Sequence, residues 1–554
     1  MYLDYDRVES SIFFLFAFLA NLLPWSTPKP VPFAIQEPIS TQSPSTREIR
    51  KYNFTIKRGI FPGPLIEANY GDTISVTVHN EIEDPEEGTA LHWHGILQKG
   101  TPWFDGVPGV TQCPIAPGKS LEYTFKAEPY GTSWYHAHYS AQYANGIFGA
   151  MVIHDPKHVN YDIDMGPVLL TDYFHRYYRD VVLEVLRPRP FPAAPPSDLN
   201  LINAKGDWRC TDSLGSAPSP DTHNLTEFRL EPGKKHLLRL INAGAEGMQR
   251  FSVDNFTLEV IANDFTPLQP YNTNVVTLAV GQRVDGVLTV PEDHVEPVWV
   301  RSYISDLCSF TNHHSAHAVA YFTDDIIDVM PSTSGHPIDD SDCGGYYQTF
   351  LSHCRRKRAQ SFQGARDWKY YERHRTMGLA YEWLRRRSGP NESSVVSCQQ
   401  RRAKLRHQWN VFDTGKARTI RVFLKNPIDF PHPMHIHGHN VKILAEGVGE
   451  WDGTIVNPSN PNRRDTQMIR SLGYMVFEID DVDNAGLWPF HCHIGPHLSA
   501  GFSVTLMRDP DQLAKMTVPY SIKQTCVDWI ALKDRVPDQI DSGLQVDAFE
   551  TEKI

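Results

Sequence analysis

A chain of 554 residues, 41% hydrophobic and 21% charged, is too long for one ordinary core and can bury several, so about three or four domains are expected. Its net charge of -12 gives no reason to expect nucleic acid or an anionic membrane as the main partner. Eight cysteines in this length do not make a small disulfide scaffold, although a few bridges fit an oxidising compartment.

The first 46 residues read as an N-terminal segment in which Ile12 to Leu23 make an apolar run, too short to cross a bilayer and close in length to the core of a secretory signal. Its flank is acidic where a signal is basic, with Asp4, Asp6 and Glu9 around Arg7, and no clear small-x-small cleavage site comes before Pro24. Sequons at Asn53, Asn224, Asn255 and Asn391 are compatible with a secreted glycoprotein. Secretion without stable membrane insertion is the expectation, and an intracellular or endomembrane compartment is the alternative.

Short alternating runs follow: Ile74, Val76 and Val78; Leu238 and Leu240; Ile420, Val422 and Leu424. Each set projects to one face of a strand, so the chain reads as mostly β. The runs end alike, in Val78-His79-Asn80, Leu240-Ile241-Asn242 and Leu424-Lys425-Asn426, an internal similarity that three related sandwiches would explain. Turn punctuation at Pro62-Gly63-Pro64, Pro117-Gly118 and Pro232-Gly233 separates the strands. Domains are expected at 47–157, 165–330 and 405–530, with 531–554 as a C-terminal tail. Between the second and third, 345–407 breaks the pattern with Arg355-Arg356-Lys357-Arg358, Arg385-Arg386-Arg387 and Arg401-Arg402. Such clusters are ordinarily solvated or disordered, so the segment reads as an irregular insertion or an error in the gene's translation, with a basic binding arm as the other reading.

Twenty-five histidines would by random placement make about one His-x-His pair. The chain has five: His92/His94, His136/His138, His435/His437, its overlapping neighbour His437/His439, and His491/His493. On a strand, residues i and i+2 share a face, so each pair offers two imidazoles side by side. Neutral imidazole suits copper, zinc, iron or nickel, and eight rings exceed what one zinc ion takes, so a cluster of metals is implied. The last pair brackets Cys492, which alternation turns to the opposite face. A thiolate with two histidines and a weak or absent axial ligand is the blue-copper arrangement, for which His432 and His497 are the candidates.

The blocks Leu91-His92-Trp93-His94-Gly95, Trp134-Tyr135-His136-Ala137-His138, His432-Pro433-Met434-His435-Ile436-His437-Gly438-His439 and His491-Cys492-His493 through His497 resemble the multicopper oxidases, and within them the ascomycete laccases and laccase-like phenol oxidases. The resemblance implies an all-β fold of three cupredoxin-like Greek-key β-sandwich domains and four copper ions. Cys492, His432 and His497 would hold the type 1 copper, and His92 and His435 the type 2. His94, His136 and His493 would hold one type 3 copper, and His138, His437 and His491 the other. His439 is left over as a non-ligand. Phe502 stands at the axial position, where a non-coordinating side chain favours a higher potential than Met.

Because oxygen reduction consumes protons, a carboxylate near the type 2 copper is expected. Asp105 matches the family position; Asp483 is an alternative, or a turn residue in Asp483-Asn484. Glu246 resembles the carboxylate that accepts the phenolic proton, against which stands a solvent-facing loop glutamate. The resemblance further implies bridges Cys113–Cys526 and Cys308–Cys343, and a C-terminal plug ending at Leu544 with 545–554 removable.

The implied activity is one-electron oxidation of phenols coupled to four-electron reduction of dioxygen to water. The block from Trp451 to Pro458 and on to Asp465 looks closest to enzymes of fungal secondary metabolism, by analogy alone. A monomer is expected. A ferroxidase or ascorbate-oxidase-like enzyme is one alternative; a copper-binding but inactive protein, its third domain disrupted by 345–407, is another.

Overall fold

The computed structural model describes residues 46–57, 61–83, 85–154, 158–186, 195–206, 225–323, 329–338, 343, 410–456, 458–480 and 483–533. The N-terminal apolar run, the sequons at Asn224 and Asn391, the basic segment 345–407 and the C-terminal extension lie outside them. No helix among the described residues is long and apolar enough to cross a membrane.

Among the described residues, six sheets make three sandwiches, in the all-β, cupredoxin-like class that the resemblance implies. In the first, a sheet of Ile49–Ile56, Thr73–Asn80 and Ser120–Lys126 faces one of Ile66–Asn69, Phe148–His154, Gly131–Ala137 and Leu91–Trp93. The second pairs a five-stranded with a six-stranded sheet. In the third, the strands Val411–Asp413, Ser503–Arg508, Gly486–Cys492, His432–Ile436 and Thr466–Ile469 lie side by side, opposite a four-stranded sheet. Parallel pairings such as Ile49–Ile56 with Thr73–Asn80 and Val411–Asp413 with Ser503–Arg508 require the chain to cross between sheets, as Greek-key connections do.

The alternating runs become core faces. Ile74, Val76 and Val78 are fully buried and stand in register with Phe125, Tyr123 and Leu121; burial of each such side chain contributes about 2 kcal/mol. Ile420, Val422 and Leu424 pack only partly against the third core, because their strand lies at a sheet edge with one neighbour.

The three asparagines that end these runs do the same work in each sandwich. Asn80 donates from Nδ2 to the carbonyls of Glu87 and Ile115, and its Oδ1 accepts from the Ile82 N–H. Asn242 donates to Gly247 and Leu278 and accepts from Gly244. Asn426 donates to Phe430 and Arg470 and accepts from Ile428. Each closes an Asx turn and satisfies two loop carbonyls that burial would otherwise leave unpaired.

The C-terminal helix Tyr520–Lys533 returns to the first sandwich. Cys526 is bonded to Cys113, 413 residues earlier, and Trp529 packs against Tyr139 at 6.0 Å between ring centroids. This strap holds the third sandwich against the first. The expected bridge Cys308–Cys343 is also formed.

Replacing Asn242 by Ala removes three hydrogen bonds and should lower stability by about 3 kcal/mol, at about 1 kcal/mol per bond. A shifted denaturant midpoint at unchanged slope would show it; an unchanged midpoint would contradict the shared role.

Candidate metal centre

Strand Gly486–Cys492 pairs antiparallel with His432–Ile436, setting Met434 opposite Cys492 and His435 opposite His491. Alternation then sends His491 and Cys492 to opposite faces. The Cys492 Sγ lies 3.6 Å from His432 Nδ1 and 3.7 Å from His497 Nδ1. His497 sits on the one-turn helix Gly495–Ser499 that follows the strand. Behind them the Phe502 ring stands at 4.9 Å from the His432 ring, edge to face. The Cys492 N–H donates to the Phe502 carbonyl and the Phe502 N–H to that of His497, both at 3.0 Å, so the stretch from strand end through helix to loop folds back on itself and brings these three residues together.

Burial raises the Cys492 thiol above its ordinary range and pushes His497 down to about 4. His432 is lowered by burial first and by His497 second. Two neutral imidazoles facing one sulfur that would ionise only beside a cation are a soft donor set suited to copper.

On the opposite face lies a second cluster, at the ends of strands. His92, His136, His435 and His491 are strand residues, whereas His94, His138, His437 and His493 fall just past the strand ends. The expected pairing on one strand holds only for the first ring: the second ring of each pair belongs to the chain just past the strand end. His92 and His94 meet edge to face at 66° and share one grouping, as His435 and His437 do, whereas His136 and His138 fall into different ones. Imidazole nitrogens converge in His92, His435 and His437; in His92, His94 and His136; and in His138, His437 and His491. His493 joins through Nε2, 3.3 Å from His94 Nδ1. All eight rings are buried.

The outward nitrogens of five rings are held by oxygens. Nδ1 of His92, His136, His435 and His491 donates to the carbonyls of Asp105, Ala137, Asp465 and Cys492, and Nδ1 of His437 donates to the Asp105 carboxylate at 2.9 Å. Each such bond places the proton outward and leaves Nε2 as an inward lone pair. Nε2 of His92, His136 and His435 is buried without a hydrogen-bond partner among the described residues, the state a cation would relieve. Burial is also the first cause that lowers His94, His136, His138, His435, His437 and His493 well below the ordinary imidazole range, with neighbouring rings next among the lowering causes.

The remaining candidates divide. Asp105 is fully buried and touches two rings of the cluster, whereas Asp483 is exposed, and it is the adjacent Asn484 that is buried, donating to the carbonyls of Leu97 and Gly438. Glu246 is buried rather than solvent-facing. Its carboxylate accepts the Phe310 N–H, and burial and the Asp172 charge raise it well above the carboxylate range. Its loop is tied to the His497 helix by the Gly495 N–H to the Ala245 carbonyl at 2.9 Å. His439 is buried beside Trp488 and pushed down to about 3 by burial, outside these groupings. Sequence reasoning missed Asp465, whose carboxylate lies 3.1 Å from His94 Nε2, and Arg283, which pairs with it. Neither carries a periodic or spacing signal.

Comparison with known proteins shows the family. Family profiles described as multicopper oxidase match residues 40–158, 164–322 and 383–512. The third match begins inside the segment set apart as basic. Laccase-3 of Botryotinia fuckeliana is 32% identical over 80% of this chain and 99% of its own. Oxidoreductase OpS5 of Beauveria bassiana is 35% identical over 86% and 81%, and dihydrogeodin oxidase of Aspergillus terreus 30% over 83% and 80%. The laccase from Botrytis aclada superposes with a TM-score of 0.73 at 26% identity, covering 90% of this chain and 95% of the other. The chain belongs to the multicopper oxidases, copper-binding oxidoreductases that use oxygen and an organic substrate.

The lowered imidazoles give the metal-free protein a definite pH response. Their folded pKa values lie below the unfolded value of about 6.5, so below that pH the unfolded chain binds protons that the folded chain refuses. Stability is full above about pH 6.5 and is lost as the pH falls. The denaturant midpoint of copper-stripped protein should therefore drop between about pH 7 and about pH 5; a flat profile would contradict neutral buried rings.

Proposed function

We propose that this chain is a laccase-type oxidase that takes single electrons from a phenol near Cys492 and delivers four to dioxygen at the histidine cluster. In balance, four phenols and one dioxygen give four phenoxyl radicals and two waters. The observation that carries this reading is the strand His491-Cys492-His493, whose sulfur faces His432 and His497 while its two imidazoles face the other cluster. Four copper ions would supply the electron acceptance and the oxygen reduction: type 1 on Cys492, His432 and His497, type 2 on His92 and His435, and type 3 on His94, His136 and His493 and on His138, His437 and His491.

The chain's own groups have defined parts. Covalent bonds of three successive residues join the two sites. Asp105 orients His92 and His437 and stands where protons are consumed. Glu246, with its raised affinity for a proton, suits the acceptor of the phenolic proton, since withdrawing that proton as the electron leaves avoids a radical cation. Phe310, half-exposed, stacks on Phe430 at 5.7 Å, and Phe430 and Phe502 flank His432. These rings suit an aromatic substrate and offer no oxygen ligand to ferrous iron. Likeness to dihydrogeodin oxidase supports a phenol of fungal secondary metabolism. The two sheets described in the third sandwich support an active enzyme, and two disulfides support secretion into an oxidising compartment.

Purified protein should hold four coppers, show an intense blue thiolate band, and consume oxygen with phenols faster than with ascorbate or ferrous iron. Absence of the band, or well under four coppers, would overturn the proposal. Glu246→Gln should lower kcat/KM for phenols about 100-fold and leave oxidation of ferrocyanide, which loses no proton, unchanged. The parent's rate with phenols should rise with pH as Glu246 ionises, a dependence the variant lacks. Phe502→Met adds a thioether donor and should lower the type 1 potential in redox titration.

A further inference from the structure

The ligands in the proposed cluster come from the first and third sandwiches, yet a chain of charges reaches it through the second, starting and ending on the third. Arg464 holds Asp264 through two hydrogen bonds of 3.0 Å. Asp264 accepts the Arg283 backbone N–H at 3.0 Å. The Arg283 guanidinium then grips Asp465 bidentately, Nη1 to Oδ1 at 2.7 Å and Nη2 to Oδ2 at 2.5 Å. It also donates to two backbone carbonyls, Nε to Thr132 and Nη1 to Gly281, and Nη1 lies 3.6 Å from the Asp264 carboxylate. Arg283 is fully buried and Asp465 is 3% exposed.

At the inner end of this chain His94 differs from the other rings. Five rings turn Nδ1 outward to an oxygen, but His94 turns Nε2 outward, to Asp465 Oδ1 at 3.1 Å and Thr466 Oγ1 at 3.2 Å. Its Nδ1 therefore faces the cluster, 3.3 Å from His493 Nε2. A neutral imidazole carries one proton, and the ring nitrogen that holds it cannot bind a metal. An ionised carboxylate can only accept, so Asp465 draws that proton to Nε2. A bidentate guanidinium fixes both carboxylate oxygens in plane and prevents Asp465 from rotating away. The Asp465 backbone carbonyl also accepts from His435 Nδ1 at 2.9 Å, so one residue orients a ring on each of two proposed copper sites.

The second sandwich also shapes the wall. Gly281, at φ +84°, lies so close that a Cβ there would stand 2.9 Å from His493 Cδ2 and 3.1 Å from His94 Cε1. Only glycine combines that conformation with that approach.

We propose that Arg283 and Asp465 are positioning residues of the histidine cluster: the Arg283-held carboxylate keeps the His94 proton on Nε2 and presents Nδ1 to copper. This rests on the oxidase reading. The test compares the copper-loaded parent with Asp465→Asn and Arg283→Lys, measuring total copper, the blue band and retention of copper against a chelator.

Both variants should keep the blue band at parent intensity per chain, because the Cys492 site has no part in this contact. Retention of the remaining coppers should fall about 10- to 100-fold, the usual effect of removing a group that orients a metal ligand. Retention within twofold of the parent, or equal loss from both sites as from general damage, would overturn the proposal. If Asp465→Asn yields no folded protein, Arg283→Lys, which keeps the charge but not the fork, decides by the same criteria. A parent without the cluster coppers would count against the oxidase reading itself; a fully loaded parent with indifferent variants would remove only the positioning role.

Discussion

Burying inward lone pairs of imidazole without partners is costly, and this fold gathers several of them where three sandwiches meet. No hydrophobic gain arises at that point, so the cluster persists only because the surrounding sheets over-determine it and because a cation can answer the exposed nitrogens. Much of the rest of the molecule serves that requirement. Strands end at the cluster, their next residues turn past it, and the strap from Cys526 to Cys113 keeps the two histidine-bearing sandwiches from parting.

The electrostatics of the cluster follow from desolvation. Buried imidazoles shed their protons, as the metal needs, and carbonyls or carboxylates behind the rings determine which nitrogen keeps the remaining one. Asp105 and Asp465 occupy matching places on two sides of the cluster, each touching two rings. Asp105 comes from a loop of the first sandwich, whereas Asp465 is held from the second through Arg283. The middle sandwich is thus part of the metal site although it carries none of the proposed ligands.

The sulfur site needs a different environment, and one strand separates the two. Alternation turns Cys492 into the third core, toward Phe502 and two imidazoles, while its neighbours face the cluster. Under the proposed function, substrate and oxygen chemistry would occupy opposite faces of a single strand, joined by covalent bonds.

Much of this was legible in the residues. The excess of His-x-His pairs, the bracketed cysteine and the alternating runs ending in Asn80, Asn242 and Asn426 follow from period-two geometry and local turn chemistry, which neighbouring residues determine. What the pairs do in space was not legible: strand ends, which depend on long-range pairing, keep His92 with His94 and His435 with His437 but put His136 and His138 into different groupings. Glu246 could be read as a solvent-facing loop residue until the fold buried it, and Asp483 and Asp105 were separated only by burial. Arg283 and Asp465, 182 residues apart, have no shared pattern, since a contact between sandwiches leaves no period in either strand. The sequence by itself determined the donor types and their local spacing; tertiary packing alone decided which nitrogens turn inward, because desolvation and hydrogen-bond partners arise only when distant segments meet.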